Sequence, residues 1–480
     1  MSEEGAETRP FVLSLSAGLL IAGFICVAAL HASVITCAYG LLCLYALAGP
    51  KQAIKALSLS YLMLLLNPAF HELPQVTSIL RWVIILVAGL RVFAAIPVRS
   101  YRFLVPLLLF FAMVSVLALP TSSSFAVSFL KIAIFTFFSA TVLAAFNSLD
   151  RSDLEELRRW FLTIAVVVVL LSLPTLAVPK IGFLVNGTGF QGILDHPQTL
   201  GIFLAPVAAY LGARLLLRNG PPPRMEWGIW GIVMGLMLLS RARTAALAFF
   251  LSLGVTLFTG SFSARKASLG LAGSRALVSV VILSVVLAAA VLASPTLSEM
   301  VVGFVLKGET GGIGKSFYQS RGSGISFFWS RFLQAPFTGH GFGIDASHDS
   351  VRNTNTFLGI PIGSSTEFGF LPAAFLEQVG ILGLAFFLPF FVFLLRRSIR
   401  QADIGLTAMF FACLFVNIGE AVFFSPGQDG GYQWLLIGLC TAAGWRTQSL
   451  GSSDSCAPPI ARRLHAGAGL AEEELPFFPL

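Results

Sequence analysis

From Phe11 to Ser294 the chain is one apolar run after another, broken by short polar stretches. A helix needs roughly 20 apolar residues to cross a bilayer, and dividing the chain on that length predicts about fourteen spans. They fall near 11–30, 32–48, 56–69, 78–97, 102–119, 124–147, 159–178, 198–217, 226–240, 244–261, 275–294, 370–395, 404–424 and 430–445. The third is short and ends at Asn67-Pro68, the pattern of a broken or re-entrant segment, and the ninth is short too. Between Ser294 and Phe370 the apolar runs stop, and the chain turns rich in Gly, Ser, Asn and charge. The expected fold is therefore all-α: a polytopic transmembrane helical bundle of about 12–14 spans with one large external loop. Its expected parts are an N-terminal bundle (1–293), the loop (294–369), C-terminal transmembrane helices (370–445) and a disordered tail (446–480). Met1–Pro10 is acidic and offers no small-residue cleavage site, so the first span reads as a retained helix rather than a signal peptide.

Long ordered loops are usually functional. Within this one, Ile325, Phe328, Trp329 and Phe332 recur at i, i+3, i+4 and i+7, one face of a helix. Ser326, Ser330 and Arg331 lie off that face. The spacing predicts a short amphipathic helix at the bundle mouth, with Arg331 free to reach a ligand.

Composition agrees with the pattern. Hydrophobic residues make up 56% and charged residues 11%, with mean hydropathy +0.84; a soluble domain carries about a quarter charged residues. The net charge of +8 becomes an orientation signal once the basic residues are placed. With a cytoplasmic N-terminus, the inner loops hold Lys51, Lys55, Arg99, Arg102, Arg151, Arg158, Arg159, Arg214, Arg218, Arg224, Arg265, Lys266, Arg275, Arg396, Arg397 and Arg400. The outer turns at 120–124 and 425–428 hold none, as the positive-inside rule requires. The long loop is then external, and nucleic acid is not an expected partner. Of the six cysteines, five lie in apolar runs and Cys456 in the tail, which reads as small hydrophobes rather than a disulfide framework.

The departures from that rule carry the chemistry. Arg241 and Arg243 share the outer turn between the ninth and tenth spans; one arginine there reads as a snorkelling anchor, two favour function. Arg81, Lys131, Glu377 and Glu420 fall at outer ends of spans, and Lys180, Asp195, His196, Arg331, His340 and Glu367 in outer loops. Their gathering at one depth predicts an outward-facing site, whereas Arg91 lies deeper and reads as structural. Gly308–Ser316 imitates a phosphate loop, but five residues separate Gly308 from Gly314 where that motif has four. Gly339-His-Gly-Phe-Gly343 reads as a tight turn closing the loop helix. Asn186-Gly-Thr188 fits a glycosylation acceptor, a match frequent by chance. No histidine pair has metal-ligand spacing, so no metal is expected.

Four motifs in order resemble the O-antigen ligase and O-antigen polymerase superfamily. They are Gly189-Phe-Gln-Gly-Ile-Leu-Asp-His-Pro-Gln-Thr-Leu-Gly201, Arg243-Thr-Ala-Ala-Leu247 with Ala242 where Ser is usual, Trp329–Gly343, and Phe375-Leu-Glu-Gln-Val-Gly-Ile-Leu-Gly-Leu384. The resemblance covers about residues 180 to 390 and reaches the first half only as a set of apolar spans. It implies a bacterial inner-membrane protein with a periplasmic loop, and a donor glycan on a polyprenyl diphosphate. Ligases of that family carry a His-Asn pair shortly before the glutamate that corresponds to Glu377. Here Phe368 stands at that position with Glu367 beside it, which favours the polymerase over the ligase that transfers glycan to lipid A-core.

On that reading the donor is already activated, and neither nucleotide, metal nor other cofactor is called for. Arginine suits a departing diphosphate because its planar fork can bind phosphate oxygens through two parallel hydrogen bonds. Arg241, Arg243, Arg331 and His196 are the expected substrate-binding residues. A sugar hydroxyl wants a carboxylate or imidazole within hydrogen-bond reach; Glu377 is the first candidate and Glu367 the second, with His340 or His348 as alternatives. Glu377 reads almost equally as a structural carboxylate paired with Arg243 or Arg331. The implied partners are the polyprenyl-diphosphate-linked glycan, membrane lipid, a flippase and a chain-length regulator. The rival class is a lipid-linked sugar transporter, which predicts related halves and broken helices near the midplane; no half-to-half repeat is visible.

Overall fold

The computed structural model describes residues 14–28, 32–70, 75–185, 187–217, 223–262, 294, 322–344, 356–357, 360–361, 369–401, 403–427 and 429–446. The span expected at 275–294, all but its last residue, most of the long loop and the tail after Arg446 lie outside these. Each of the other expected spans coincides with a helix. In order these are α1 (Leu15–Ala28), α2 (Ala32–Leu47), α3 (Pro50–Leu64), α4 (Gln75–Ala95), α5 (Val105–Thr121), α6 (Phe125–Asn147), α7 (Arg151–Ser172), the one-turn α8 (Pro179–Gly182), α9 (Pro197–Leu217), α10 (Arg224–Leu239) and α11 (Arg243–Phe262). After the loop helix α12 (Ser323–Gln334) come α13 (Leu371–Ile399), α14 (Ile404–Phe415) and α15 (Asp429–Thr441). Strand structure among the described residues is one two-residue antiparallel pair, Thr356–Phe357 with Ile360–Pro361.

Among the described residues five helices, against the 12–14 spans expected, are long and apolar enough to cross a membrane: Tyr101–Thr121, Phe125–Asn147, Arg151–Ala177, Pro197–Leu216 and Leu371–Ile399. Large apolar side chains also face outward, among them Leu15, Leu19, Leu41, Leu44, Leu109, Val116, Leu119, Phe250 and Phe258. A soluble protein does not present so wide an apolar surface; this is a helical membrane protein. At the centre stands α9, apolar all round and buried along nearly its whole length, packed against α10, α11 and α14. Its small residues let neighbours close in: the indole of Trp230 and ring of Phe249 lie against Gly212.

Several buried polar side chains tie the helices together, since a hydrogen bond is worth most where water is absent. Trp160 Nε1 donates to Ser58 Oγ at 2.9 Å, Tyr61 to the Pro426 carbonyl at 2.8 Å, and Gln401 Nε2 to the Cys440 carbonyl at 2.8 Å. Cys413 and Cys440 are buried like hydrophobes, while Cys26 and Cys37 face outward with the leucines.

The two ends of the bundle differ in chemistry. At the basic end, Lys51 binds Asp153 and Glu156, and Lys55 binds Glu156. Arg158 Nη1 stands 3.0 Å and Arg214 Nη1 3.6 Å from Asp403 Oδ2, and Arg158 also pairs with Glu155. Arg91 Nε donates to the Leu47 carbonyl at 2.8 Å, also at this end. Helix α7 starts at Arg151, earlier than the apolar run suggests, because Asp150 accepts from the Asp153 N–H at 2.8 Å and caps it. That backbone bond holds the Asp150 carboxyl below its ordinary range.

Three boundaries move for physical reasons. Helix α3 stops at Leu64, short of the expected 69, and the chain pairs instead with the loop before α9: the Asn67 N–H donates to Ile193 O at 2.8 Å and the Asp195 N–H to Leu65 O at 2.8 Å. Helix α14 ends at Phe415, continued by a 3-10 turn to Ile418, rather than reaching 424. The Asn417 carboxamide oxygen takes the Val422 and Phe423 N–H groups and turns the chain out of the helix, so Glu420 lies in a loop. Helix α13 is broken at Gly380, whose φ of 63° and ψ of −171° are non-helical.

Candidate functional site

The break in α13 organises the end of the bundle opposite the basic one. A helix interrupted at Gly380 leaves carbonyls before the break and N–H groups after it without helical partners. The chain after the loop helix takes two of each. The His340 N–H donates to Glu377 O at 3.0 Å and the Gly341 N–H to Gln378 O at 3.0 Å. In return Ile381 donates to Pro336 O at 2.9 Å and Leu382 to Phe337 O at 3.1 Å. The turn is also held by side chains: Gln378 Oε1 accepts from the Gly343 N–H at 2.9 Å, and Lys131 donates to the Gly343 carbonyl. Gly339 packs so tightly on the Gln378 carbonyl that a Cβ there would fall inside 3 Å of it. The Gly-rich turn expected to close the loop helix is thus spliced into a transmembrane helix.

The loop helix α12 docks on the start of α13. Phe328 is buried against Ala373 and Ala374, and Phe332 is buried with it, as the spacing predicts. Trp329 departs from the expected face and is half exposed. Docking brings Arg331 Nε to 2.8 Å from Glu377 Oε1, the carboxylate being 1% exposed and the arginine 27%. Arg331 is therefore not free, as expected from sequence, but oriented by a buried carboxylate. Its two terminal nitrogens have no partner among the described residues. His340 joins the same unit, its Nε2 lying 2.9 Å from the Arg331 carbonyl oxygen. A carbonyl only accepts, so Nε2 carries a proton, and in the neutral form of the ring Nδ1 is the acceptor.

Under this unit lies an aromatic bed. Phe342, from the Gly-rich turn, packs edge-on to Phe424 at 5.5 Å, and Phe424 stacks on Phe375 at 4.7 Å. Phe110 and Phe135 complete it from α5 and α6. Through Phe423 and Phe424 the bed continues into the loop that carries Glu420.

A second group of expected residues surrounds that loop. His196 Nδ1 accepts from the Gln198 N–H at 3.1 Å, and Gln198 Nε2 donates to Glu420 Oε1 at 3.3 Å. Gly419 lies against Thr244, the neighbour of Arg243. Arg243 is the first residue of α11, where the helix dipole disfavours a cation. Arg241 is exposed and takes φ 56°, the one positive φ outside glycine among the described residues. Ala242 is buried against Gly201, where an added Cβ would fall inside 3 Å of the Ala242 methyl.

The expected residues thus fall in two groups: Arg331, Glu377, His340 and Lys131 at the spliced helix, and His196, Glu420, Arg241 and Arg243 around the α9 mouth. Lys180 is exposed on α8, and Arg81 lies with its guanidinium 4.8 Å over the Trp82 ring. Glu367, His348, Asn186 and the Gly308–Ser316 stretch lie outside the described residues. Sequence reasoning missed Gln378, Gln198 and Asn417, which position the site. A glycine three residues after Glu377 in an otherwise apolar helix was the available signal for the first. Among the described residues, His, Cys, Asp and Glu form no group of three able to hold a metal.

Chemically, the site offers a guanidinium steered by a buried carboxylate, a half-buried imidazole, and further cations and a carboxylate nearby, all at the helix ends. That suits an anionic, partly apolar substrate presented at a membrane surface. No protein-family model matches the chain, and none of the curated proteins matches it.

Proposed function

We propose that the protein is a membrane glycosyltransferase that polymerises polyprenyl-diphosphate-linked oligosaccharide repeats into surface or exopolysaccharide, at the periplasmic face of a bacterial inner membrane. The observation that carries the reading is the Arg331–Glu377 pair, in which a buried carboxylate holds the guanidinium by Nε and leaves its terminal nitrogens without a partner among the described residues. The motif resemblance to O-antigen polymerases and ligases supplies the substrate class. An acceptor sugar hydroxyl attacks the anomeric carbon of the donor, the bond to the diphosphate breaks, and polyprenyl diphosphate leaves with the electron pair. Arg331, with Arg243, meets the developing charge on the diphosphate. The hydroxyl proton passes to a base. Glu377 is already engaged and almost fully buried, so we assign it to orienting Arg331. His340 Nδ1 and Glu367 are then the candidates for the base. Arg241 and His196 would contact the substrate from the α9 mouth.

The broken helix α13 is the observation that favours a transporter, since such breaks expose backbone dipoles to a solute. Here the loop consumes the carbonyls of Glu377 and Gln378 and the N–H groups of Ile381 and Leu382, leaving none of these for a travelling ion. The break reads as a splice, which supports an enzyme. The direct test is to supply purified protein with a polyprenyl-diphosphate-linked repeat unit and measure product length. Elongation by the parent and its loss in Arg331→Lys support the reading; vectorial movement of intact donor across vesicles, without elongation, would replace it with transport.

A further inference from the structure

The geometry points to a binding site for an anionic phospholipid on the outer face of α13 at the basic end of the bundle. A groove of about 350 Å³ runs there, lined by Pro389, Val392, Phe393, Arg396, Arg397 and Arg400. These residues recur at i, i+3, i+4, i+7, i+8 and i+11, so they form one continuous stripe along the helix. At 1.5 Å per residue the stripe is roughly 16 Å long. It changes from apolar to basic along its length, in the same order as a lipid passes from acyl chain to headgroup.

The three arginines are not equivalent. Arg397 is pinned: it donates to Asn147 Oδ1, and its guanidinium stands 4.5 Å over Phe393 and 5.3 Å over Phe103. It forms a fixed cationic floor. Arg396 and Arg400 are exposed and lie i, i+4, where like charges repel. No carboxylate pairs with either among the described residues. Nearby at this end, Lys51, Lys55, Arg158 and Arg214 all have carboxylate partners. The dipole at the end of α13 accounts for the sign of the charges. It does not account for two exposed arginines, neither with a carboxylate partner among the described residues, lining one cleft with Pro389, Val392 and Phe393. A phosphodiester between Arg396 and Arg400 relieves the repulsion and takes charge-assisted hydrogen bonds from both, while its glycerol and first methylenes cover Phe393, Val392 and Pro389. Basic pockets between membrane helices hold anionic headgroups in this way.

The test is native mass spectrometry on the full chain in detergent, titrated with phosphatidylglycerol or with phosphatidylcholine of the same acyl chains. Phosphatidylglycerol should bind preferentially, and Arg396→Gln and Arg400→Gln should each weaken it about fivefold, with phosphatidylcholine unchanged. Arg224→Gln, a change of one exposed charge outside the groove, should leave binding as it was. Val392→Ser should weaken both lipids, reporting the acyl part of the groove independently of charge. Equal binding of the two lipids, equal losses from Arg224→Gln and Arg396→Gln, or displacement of the lipid by excess inorganic phosphate would each overturn the assignment. The last outcome would mark a simple anion site.

Discussion

Gly380 in α13 and Phe337 after the loop helix approach so closely that a Cβ on Gly380 would fall inside 3 Å of the Phe337 carbonyl. The contact joins the segment that follows the loop helix to a membrane-length helix through backbone atoms. It also exists only because Gly380 adopts a φ, ψ pair that is essentially restricted to glycine. Gly380→Ala should therefore unsplice the loop, at a cost of about 1–3 kcal/mol from the backbone alone. We expect the helices to stay inserted while protease cleavage near Gln334 accelerates and activity falls. Unchanged cleavage would mean that the loop docks without the splice.

The Arg331–Glu377 pair separates binding from orientation. Arg331→Lys should lower polymer output by roughly a hundredfold, because a point charge cannot reproduce a two-bond grip on a diphosphate. Glu377→Ala removes the acceptor of the Arg331 Nε bond, leaves the guanidinium unsteered and should fail similarly; with Arg331→Lys the loss should be far from additive. Arg243→Lys should also fail, whereas Arg241→Gly should cost less, since glycine suits the φ of 56° there and only one peripheral substrate contact is lost. Normal polymer from correctly inserted Arg243→Lys would remove the diphosphate role.

For His340, glutamine is the informative replacement. Its amide can still donate to the Arg331 carbonyl, as His340 Nε2 does, but it offers no basic lone pair. His340→Gln should keep the melting temperature and reduce turnover by about 10²–10⁴. Full turnover would move the base to Glu367.

At the basic end, Asp403 is the shared partner of Arg158 and Arg214, accepts from Tyr210, and caps α14 through the Gly405 N–H at 2.8 Å. Asp403→Asn keeps the cap yet leaves two arginines with side chains only 14% exposed without their common counter-ion, and should destabilise by about 3 kcal/mol. Asp403→Ala should cost about 1 kcal/mol more through the lost cap. Thermal melts in detergent read both, and equal melts for the two variants would rule out the capping contribution.

How much of this was legible follows from which physics sets each feature. Helix positions were, because period and apolar length act locally: Phe328 and Phe332 are buried as their spacing predicts. The partnership of Arg331 with Glu377 was foreseen as one of two alternatives, but not its consequence that Glu377 is taken out of reach. The early end of α14 was hidden because Asn417 acts through side-chain bonds to Val422 and Phe423, and composition does not register a single amide. The splice was hidden for a related reason. Gly380 and the Gly-rich turn each look like weak local signals, and only their meeting in space gives either a purpose.

Sidedness follows from the same residues. Lys51, Asp153, Arg158 and Asp403 meet at one end of the bundle, and Glu377, Arg331 and Glu420 lie at helix ends opposite. The positive-inside rule predicts that the first group faces the cytoplasm, the orientation proposed above. Reporter fusions at Ser323 and after Gln428 should read as external and a fusion at Asp153 as internal. Cytoplasmic labelling of the loop helix would invert the orientation and remove the site from the periplasm.

Within the proposed function the division is between polymerase and ligase, and the cell's lipid-linked glycans separate them. A polymerase joins repeat units while they are still on the carrier, so its loss strands single units there or on the final acceptor. A ligase moves finished glycan to lipid A-core, so its loss strands long chains on the carrier. The absence of a His-Asn pair before Glu377, with Phe368 at that position, favours the first. His340 weakens that argument, because its Nδ1 presents a basic lone pair from a different backbone position beside Arg331. The two outcomes nonetheless differ in length alone and need no assumption about the base. We expect deletion to leave single repeat units, measured by mass spectrometry of extracted polyprenyl-linked glycans. Full-length carrier-bound polymer would make the protein a ligase working through the same Arg331–Glu377 pair, and an unchanged glycan profile would return the argument to transport.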